Sequence, residues 1–245
     1  DFNLTDIQQD FLKLAHDFGE KKLAPTITER DHKGIYDKDL IDELLSLGIT
    51  GAYFEEKYGG SGDDGGDVLS YILAVEELAK YDAGVAITLS ATVSLCANPI
   101  WQFGTEAQKE KFLVPLVEGT KLGAFGLTEP NAGTDASGQQ TVAVKNDDGT
   151  YTLNGSKIFI TNGGAADIYI IFAMTDKTLG NHGISAFIVE DGFEGFSVGK
   201  HEKKMGIRGS ATASLVFDNC IVPEENLLGH EGEGFKVAMH TLDGG

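Results

Sequence analysis

The sequence predicts an α+β protein of more than one domain. An N-terminal all-helical domain spans residues 1–120, an antiparallel β-barrel or sandwich domain spans 121–231, and residues 232–245 open a further helical bundle. Three observations predict this. Up to about residue 120, apolar residues recur every three to four positions, the helical period. From 121 they alternate with a period of two, between clusters of Gly, Asn and Asp. After "EENLLGHEGEG" (224–234) the helical spacing returns at Phe235, Val237, Ala238 and Met239. That last pattern stops at "LDGG", inside its own period, so the bundle is expected to continue beyond this sequence.

The elements follow in order. Thr5 with Gln8 forms a capping-box pattern, and Ile7, Phe11, Leu14 and Phe18 follow at helical spacing. A second helix is expected over roughly 37–48, ending at Gly48. Asp67 caps the next, with Val68, Ile72, Val75 and Ala79 marking one face. The nearly uncharged "GVAITLSATVSLCANPI" (84–100) is too long and too rich in small residues for one strand, so it reads as a buried helix. Thr105 and Gln108 open another capped helix, with Phe112, Leu113 and Leu116 on its inner side. Strands are expected at 122–127, 138–145, 150–161, 168–174, 184–190, 196–199 and 213–217. They are punctuated by "NDDG" (146–149), "NGS" (154–156), "NGG" (162–164) and "DGFEG" (191–195).

With 245 residues, 41% of them hydrophobic, the chain can bury a substantial core. The formal net charge of −19 argues against nucleic acid, whose binding needs clustered Lys and Arg. It leaves room for an anionic ligand held by local backbone dipoles. No apolar run is expected to approach the roughly 20 residues that cross a bilayer. "DFNLTDIQQD" lacks the charged and apolar regions of a signal peptide. Cys96 and Cys220 lie in apolar stretches and form neither a disulfide framework nor a zinc spacing, which suits a reducing cytoplasm.

Most candidate motifs fail on context. "GGSGDDGG" (59–66) contains G-x-G-x-x-G at Gly60, Gly62 and Gly65, but it lies in helical territory, and Asp63, Asp64 and Asp67 would repel a pyrophosphate. It reads as a flexible loop entering a helix. In "KHEKKMGIR" (200–208), Lys203, Lys204 and Arg208 could hold a phosphate, although a solvated turn between strands fits better. Glu76 and Glu77 point apart and read as a solvated edge. The six histidines show no ligand spacing, and no metal site is expected.

Two segments survive. "GLTEPNAGTD" (126–135) follows the apolar strand "LGAFGL" with an unusual density of turn formers. It is a surface loop, or a cradle whose small residues let bare N–H groups approach a ligand. In "KIFITNGG" (157–164) a strand delivers Phe159, Ile160 and Thr161 into a glycine turn, a set that can cover and hydrogen-bond a flat heterocycle.

Together with "GAYFEEKYGGSG" (51–62), "FGTEAQKEKFLVPL" (103–116), "LNGSKIFITNGG" (153–164), "MGIRGSAT" (205–212) and "VPEENLLGHEGEGFKVAMHTLDGG" (222–245), these segments resemble the acyl-CoA dehydrogenase family along the whole chain. Within the family the chain is most similar to the short-chain, butyryl-CoA-type dehydrogenases of anaerobic bacteria. The resemblance implies FAD as cofactor and a short-chain acyl-CoA as substrate, desaturated between Cα and Cβ. It further implies electron transfer to an electron-transfer flavoprotein and a homotetramer when full length. Phe125, Gly126, Leu127, Thr128, Gly133 and Thr134 match family positions that line the flavin, with the Thr128 hydroxyl at the pyrimidine end of its ring. Phe159, where many relatives have Trp, matches the position against the isoalloxazine. Ile160 accompanies it, and Thr161 lies near N5. Thr134 also matches a contact to the pantetheine arm, and Asp243, with Gly244 and Gly245 beside it, matches the acceptor for the pantetheine amide. The family's catalytic glutamate belongs to the C-terminal bundle, so no catalytic residue is expected in this chain. An acyl-CoA oxidase of the same fold is one alternative. A non-catalytic flavin-binding or interaction module is another. The acyl pocket floor is expected from the helices around 84–100, where Thr88, Ser90, Ser94 and Cys96 are small enough to frame a short chain, or merely pack the helix.

Overall fold

Capping chemistry sets the register of the N-terminal helices. A computed structural model describes residues 3–62 and 67–244. Helix α1 (Asp6–Phe18) opens on the predicted capping box, in which the Thr5 hydroxyl accepts from Gln8 N and the Gln8 amide returns to Thr5 N. A π turn (Gly19–Leu23) leads to α2 (Ile27–Lys33), which the sequence pattern did not reveal, and to α3 (Lys38–Leu45). Asp67 caps α4 (Val68–Tyr81), and Asp82 caps α5 (Ala83–Ser90). From α5 the chain runs through a π turn (Ala91–Ala97) into α6 (Asn98–Phe103). Helix α7 (Glu106–Gln108) carries the second capping box, and a π turn joins it to α8 (Val114–Val117). Phe112, Leu113 and Leu116 are buried as the spacing predicts.

Several expectations for this region are corrected. Helix α4 buries Ser70, Tyr71, Ala74, Glu77 and Leu78, while Val68 and Ile72 are about half exposed. Both faces of α4 carry apolar residues, so periodicity alone could not choose between them. Glu77 is not a solvated edge: its side chain is only 8% exposed and it accepts from His16 Nδ1 at 2.9 Å and Lys80 Nζ at 2.5 Å. The Ala83–Phe103 helix is 21 residues long and apolar enough to cross a membrane by length and composition, contrary to the expected absence of any such run. Here 78% of its apolar window is buried in the protein, which makes it a core helix. Of the glycine-rich loop, Gly60 is packed rather than free, since a Cβ there would lie 2.0 Å from the Phe54 carbonyl oxygen. Gly65, Asp63 and Asp64 lie outside the described residues.

The β region contains β1 (Gly123–Gly126), β2 (Val142–Lys145), β3 (Tyr151–Thr161), β4 (Ile168–Met174), β5 (Ile184–Glu190), β6 (Phe196–His201), β7 (Thr212–Val222) and β8 (Leu227–Leu228). Among the described residues they form one sheet in the order β6-β7-β3-β2-β4-β5-β8, with β1 also paired to β4. The sheet is mixed, not purely antiparallel, because β1 runs parallel to β4 and Val142 of β2 pairs in parallel with Met174. Parallel pairing needs a long crossover, and the 127–141 loop and the β2–β3 hairpin supply it. Strand β4 is buried at every position, so it reads as a continuous apolar run. Helix α9 (Gly234–Gly244) packs on β5 and α6.

The 200–208 segment is not simply a solvated turn. Arg208 reaches α2, where its guanidinium meets Asp31 Oδ2 at 2.6 Å, and Lys204 Nζ donates to Ser210 O and Thr212 Oγ1. Those partners occupy two of the three cations proposed for a phosphate. Beside them the buried Arg30 holds Asp82 at 2.6 Å, joining α2 to the start of α5.

Candidate active-site cleft

Two irregularities in the strands build the site. Strand β1 ends at Gly126, and the chain continues through Leu127 and Thr128 beside β3, with Ile158 N donating to Thr128 O at 2.9 Å. In β3 the register against β7 slips between Lys157 and Ile160. At that slip Phe159 takes φ +59°, a conformation uncommon for an aromatic residue, and its side chain is 61% exposed. A large apolar ring held outward by a strained backbone points to a ligand contact.

The last residues of β3 are anchored by Asn162, also left-handed at φ +63°. Its buried amide nitrogen donates to Gly123 O at 2.8 Å, Thr88 O at 3.0 Å and Thr92 Oγ1 at 3.3 Å. One side chain thus ties β3, β1 and the core helix together, and brings Ala91 and Leu95 to the same place as Thr161.

The result is a cleft of about 530 Å³. Of the residues the sequence singles out for a cofactor, Phe125, Leu127, Thr128, Gly133, Thr134, Phe159, Ile160 and Thr161 all line it. Gly126 does not. It lies behind the wall, where a Cβ would meet Ile171 Cδ1 at 2.6 Å and the Lys157 stem at 3.5 Å. Phe125 is set by edge-to-face packing on Phe172, with ring centroids 5.0 Å apart. Among the described residues, the hydroxyls of Thr128, Thr134 and Thr161 make no hydrogen bond within the protein. A flat, apolar-faced heterocycle with polar edges fits this donor set: Phe159 would cover its face, and three unpartnered hydroxyls stand ready for its rim. Helix α9 closes one side with Phe235, Met239 and Leu242. Asp243 and Gly244 end that helix exposed and outside the lining, and Gly245 lies outside the described residues.

Behind the cradle lies a buried ion pair. The Lys157 side chain is fully buried and donates to Glu129 Oε1 at 2.7 Å, Gln139 Oε1 at 3.0 Å and Leu127 O at 3.2 Å. Burial holds the ammonium well below the ordinary lysine range, against the pull of Glu129. Burial also acts to raise the Glu129 carboxyl. The Lys157 charge and hydrogen bond, with those from Thr141 and Gln140, outweigh it and leave the group below the ordinary carboxylate range.

Comparison with known proteins decides the family. The model of the acyl-CoA dehydrogenase N-terminal domain matches residues 5–120, and that of the acyl-CoA dehydrogenase middle domain matches residues 124–220. The chain belongs to the acyl-CoA dehydrogenase family. It is 88% identical, over its whole length, to a short-chain specific acyl-CoA dehydrogenase of Megasphaera elsdenii, and 54% identical to one of Clostridium acetobutylicum. It spans 64% of the length of each of these curated relatives. Among solved structures it matches butyryl-CoA dehydrogenase from M. elsdenii at 88% identity with a TM-score of 0.98, covering all of this chain and 64% of that one. It also matches a chain from a structure described as the electron transferring flavoprotein of Acidaminococcus fermentans, at 63% identity and a TM-score of 0.97, covering all of this chain and 63% of that one.

For an acyl-CoA dehydrogenase chain, the small residues of the core helix take the packing alternative. Thr88, Ser90, Ser94 and Cys96 do not line the cleft. Thr88 and Ser94 bond back to Gly84 O and Ser90 O within the helix, and Ser90 accepts from Tyr71. Cys96 is buried, and its thiol is pushed up to about 12 by that burial. The lining residues of this helix are Ala91 and Leu95 instead. Sequence reasoning also missed Asp135, Ala136 and Ser137 as lining residues, and passed over Lys157, Glu129 and Asn162. A lysine at an inward position of an otherwise alternating strand was the available signal for the ion pair.

Proposed function

We propose that this chain forms the flavin- and thioester-facing walls of an FAD-dependent dehydrogenase acting between Cα and Cβ of a short-chain acyl-CoA. The observation that carries this is the cleft itself: in a chain of this family, an outward Phe159 and the free hydroxyls of Thr128, Thr134 and Thr161 converge on one apolar-walled space. FAD, when bound, supplies the acceptor for the hydride that leaves Cβ. Phe125, Leu127, Thr128 and Thr134 would hold its polar edge. Phe159 and Thr161 would hold its face and the region of N5, and the Thr128 hydroxyl would donate a pre-placed hydrogen bond where negative charge develops. Leu95, Ala91 and the α9 side chains exclude water from the acyl chain, which strengthens the surrounding hydrogen bonds.

The α proton needs a base. Asp135 is the sole ionisable residue lining the cleft among those described, and the Ser137 hydroxyl and N–H hold its carboxyl below the ordinary range. A carboxylate stabilised in that way is a poor proton acceptor. By the family reading, the base is instead a carboxylate outside the described residues. The match to the A. fermentans chain supports an electron-transfer flavoprotein as electron acceptor, and by the same family reading the assembled protein is a cytoplasmic homotetramer.

The visible spectrum of the purified protein before and after anaerobic butyryl-CoA tests this reading. Flavin bands are expected; prompt bleaching with slow recovery in air would show the base present in the protein as purified, and bands that stay unbleached would mark a flavin-binding chain without its base. Rapid recovery with peroxide formation would favour an oxidase, and absence of flavin after reconstitution with FAD would overturn the assignment.

A further inference from the structure

The buried Lys157 raises the question of what an ammonium does in an apolar sheet interior. Its three acceptors come from both ends of one loop. Leu127 O and Glu129 stand at the entry of the 129–141 segment, and Gln139 stands at its exit. Glu129 repeats the pattern, reaching across to accept from Gln140 N at 2.6 Å and from Thr141 N at 3.1 Å. Both charges of the pair therefore bridge entry and exit. A methionine or leucine would fill the same volume without the cost of burying a charge, so packing alone does not account for a lysine here.

Ala132 is buried and Ala136 packs against the core, but the hydrogen bonds of the rest of the loop stay within it. Glu129 and Ala132 exchange backbone hydrogen bonds, Asp135 accepts from Ser137, Gly138 N donates to Asp135 O, and Gln140 Nε2 donates to Gly138 O. Among the described residues, no hydrogen bond joins 130–138 to any part of the protein outside the loop. Yet Gly133 through Ser137 form a continuous stretch of the cleft wall. The polar ties that place that wall therefore lie at the neck.

We propose that Lys157 is a positioning residue that ties shut the neck of the 129–141 loop and so holds Gly133–Ser137 against the cofactor cleft. Its effect on the cofactor rests on the flavin reading given above. The lysine is fully buried and does not line the cleft. It acts through the Leu127 carbonyl, which orients the peptide leading to Thr128, and through Glu129, which closes the loop's two ends.

The test uses the purified protein, stripped of flavin and then reloaded. Lys157→Met removes the tie, Gln139→Met removes one of its acceptors without changing charge, and Ile188→Val in the core of β5 serves as a control for general loss of stability. Amide hydrogen exchange is measured over residues 130–138 and over β5. FAD affinity is measured by flavin fluorescence, and the visible band of the bound flavin reports on hydrogen bonding at the ring edge. In K157M, exchange over 130–138 should rise by at least ~10-fold with β5 unchanged, because a buried pair that loses one partner is strongly destabilised locally. Q139M should give about a 5-fold rise, the scale of one net hydrogen bond. FAD should bind about 10-fold more weakly to K157M, with a shifted visible band, because part of the binding energy then orders the loop. I188V should raise exchange over β5 and leave the loop exchange, the flavin affinity and the visible band unchanged. Loop exchange at the wild-type rate in both K157M and Q139M overturns the proposal. So does a freed loop that leaves flavin affinity and spectrum unchanged. If the wild-type protein takes up no FAD while K157M still frees the loop, the flavin reading fails and the neck tie stands.

Discussion

Replacing Asn162 with Ala should damage this protein more than its small size suggests. The side chain is fully buried, and its amide nitrogen serves Gly123 O, Thr88 O and, more loosely, Thr92 Oγ1. Gly123 O keeps only a long contact from Thr92 Oγ1 at 3.4 Å. Losing two good hydrogen bonds to buried carbonyls costs about 1 kcal/mol each. A second cost comes from φ +63°, since Asn tolerates the left-handed region while Ala pays ~1 kcal/mol or more there. The sum is about 3 kcal/mol, or a fall in Tm of roughly 6–12 °C for a chain of this size. Asn162→Gly separates the two parts, because glycine loses the hydrogen bonds but not the conformation. It should therefore be less destabilised than N162A by about 1 kcal/mol. Urea denaturation of both variants, followed by circular dichroism, measures this directly. A loss below ~1 kcal/mol in N162A, a single hydrogen bond's worth, would refute the idea that one side chain ties β3, β1 and the core helix together.

Other substitutions and conditions give sharp expectations. Phe159→Ala should barely change the denaturation free energy, by about 0.5 kcal/mol or less, since the ring is mostly exposed. FAD affinity should nevertheless fall about 10-fold, from the loss of a stacked aromatic contact. Phe159→Trp should retain or tighten binding, and equal flavin affinity in all three proteins would remove Phe159 from the site. Acid should loosen the ion pair in a defined direction. The Glu129 carboxyl is lowered in the folded state, so its stabilisation is complete above the ordinary value of 4.5 and is lost as pH falls through the lower folded value. The wild-type denaturation free energy should therefore drop on that limb, and Glu129→Gln should flatten that part of the profile. Lys157 has the same sign of linkage in a higher window: its pKa is also lowered, so the unfolded chain binds that proton more tightly. Its contribution therefore becomes more favourable as pH rises from the lowered folded value toward 10.5.

Much of this protein can be read directly from its sequence, for local reasons. Thr5/Gln8 and Thr105/Gln108 cap helices because a hydroxyl and an amide three residues apart satisfy each other's backbone. The change of apolar period near residue 121 marks the passage from helix to sheet, since side-chain direction repeats every 3.6 residues in one and every two in the other. The family, and the eight cradle residues that line the cleft, follow from motifs each confined to a short segment. Tertiary structure decided what depends on distant partners. Which face of α4 is buried depended on its neighbours, because both faces are apolar. The parallel pairing of β1 with β4 joins residues some 45 positions apart. Only the fold could show that Gly126 stands behind the wall and that Asp243 misses the lining. It alone showed that Ala91 and Leu95 displace Thr88 and Cys96 from the cleft, since one turn of a buried helix points each residue in a different direction. The neck tie belongs to the same class: Glu129, Gln139 and Lys157 become a single charge-balanced unit once β3 lies beside the end of β1.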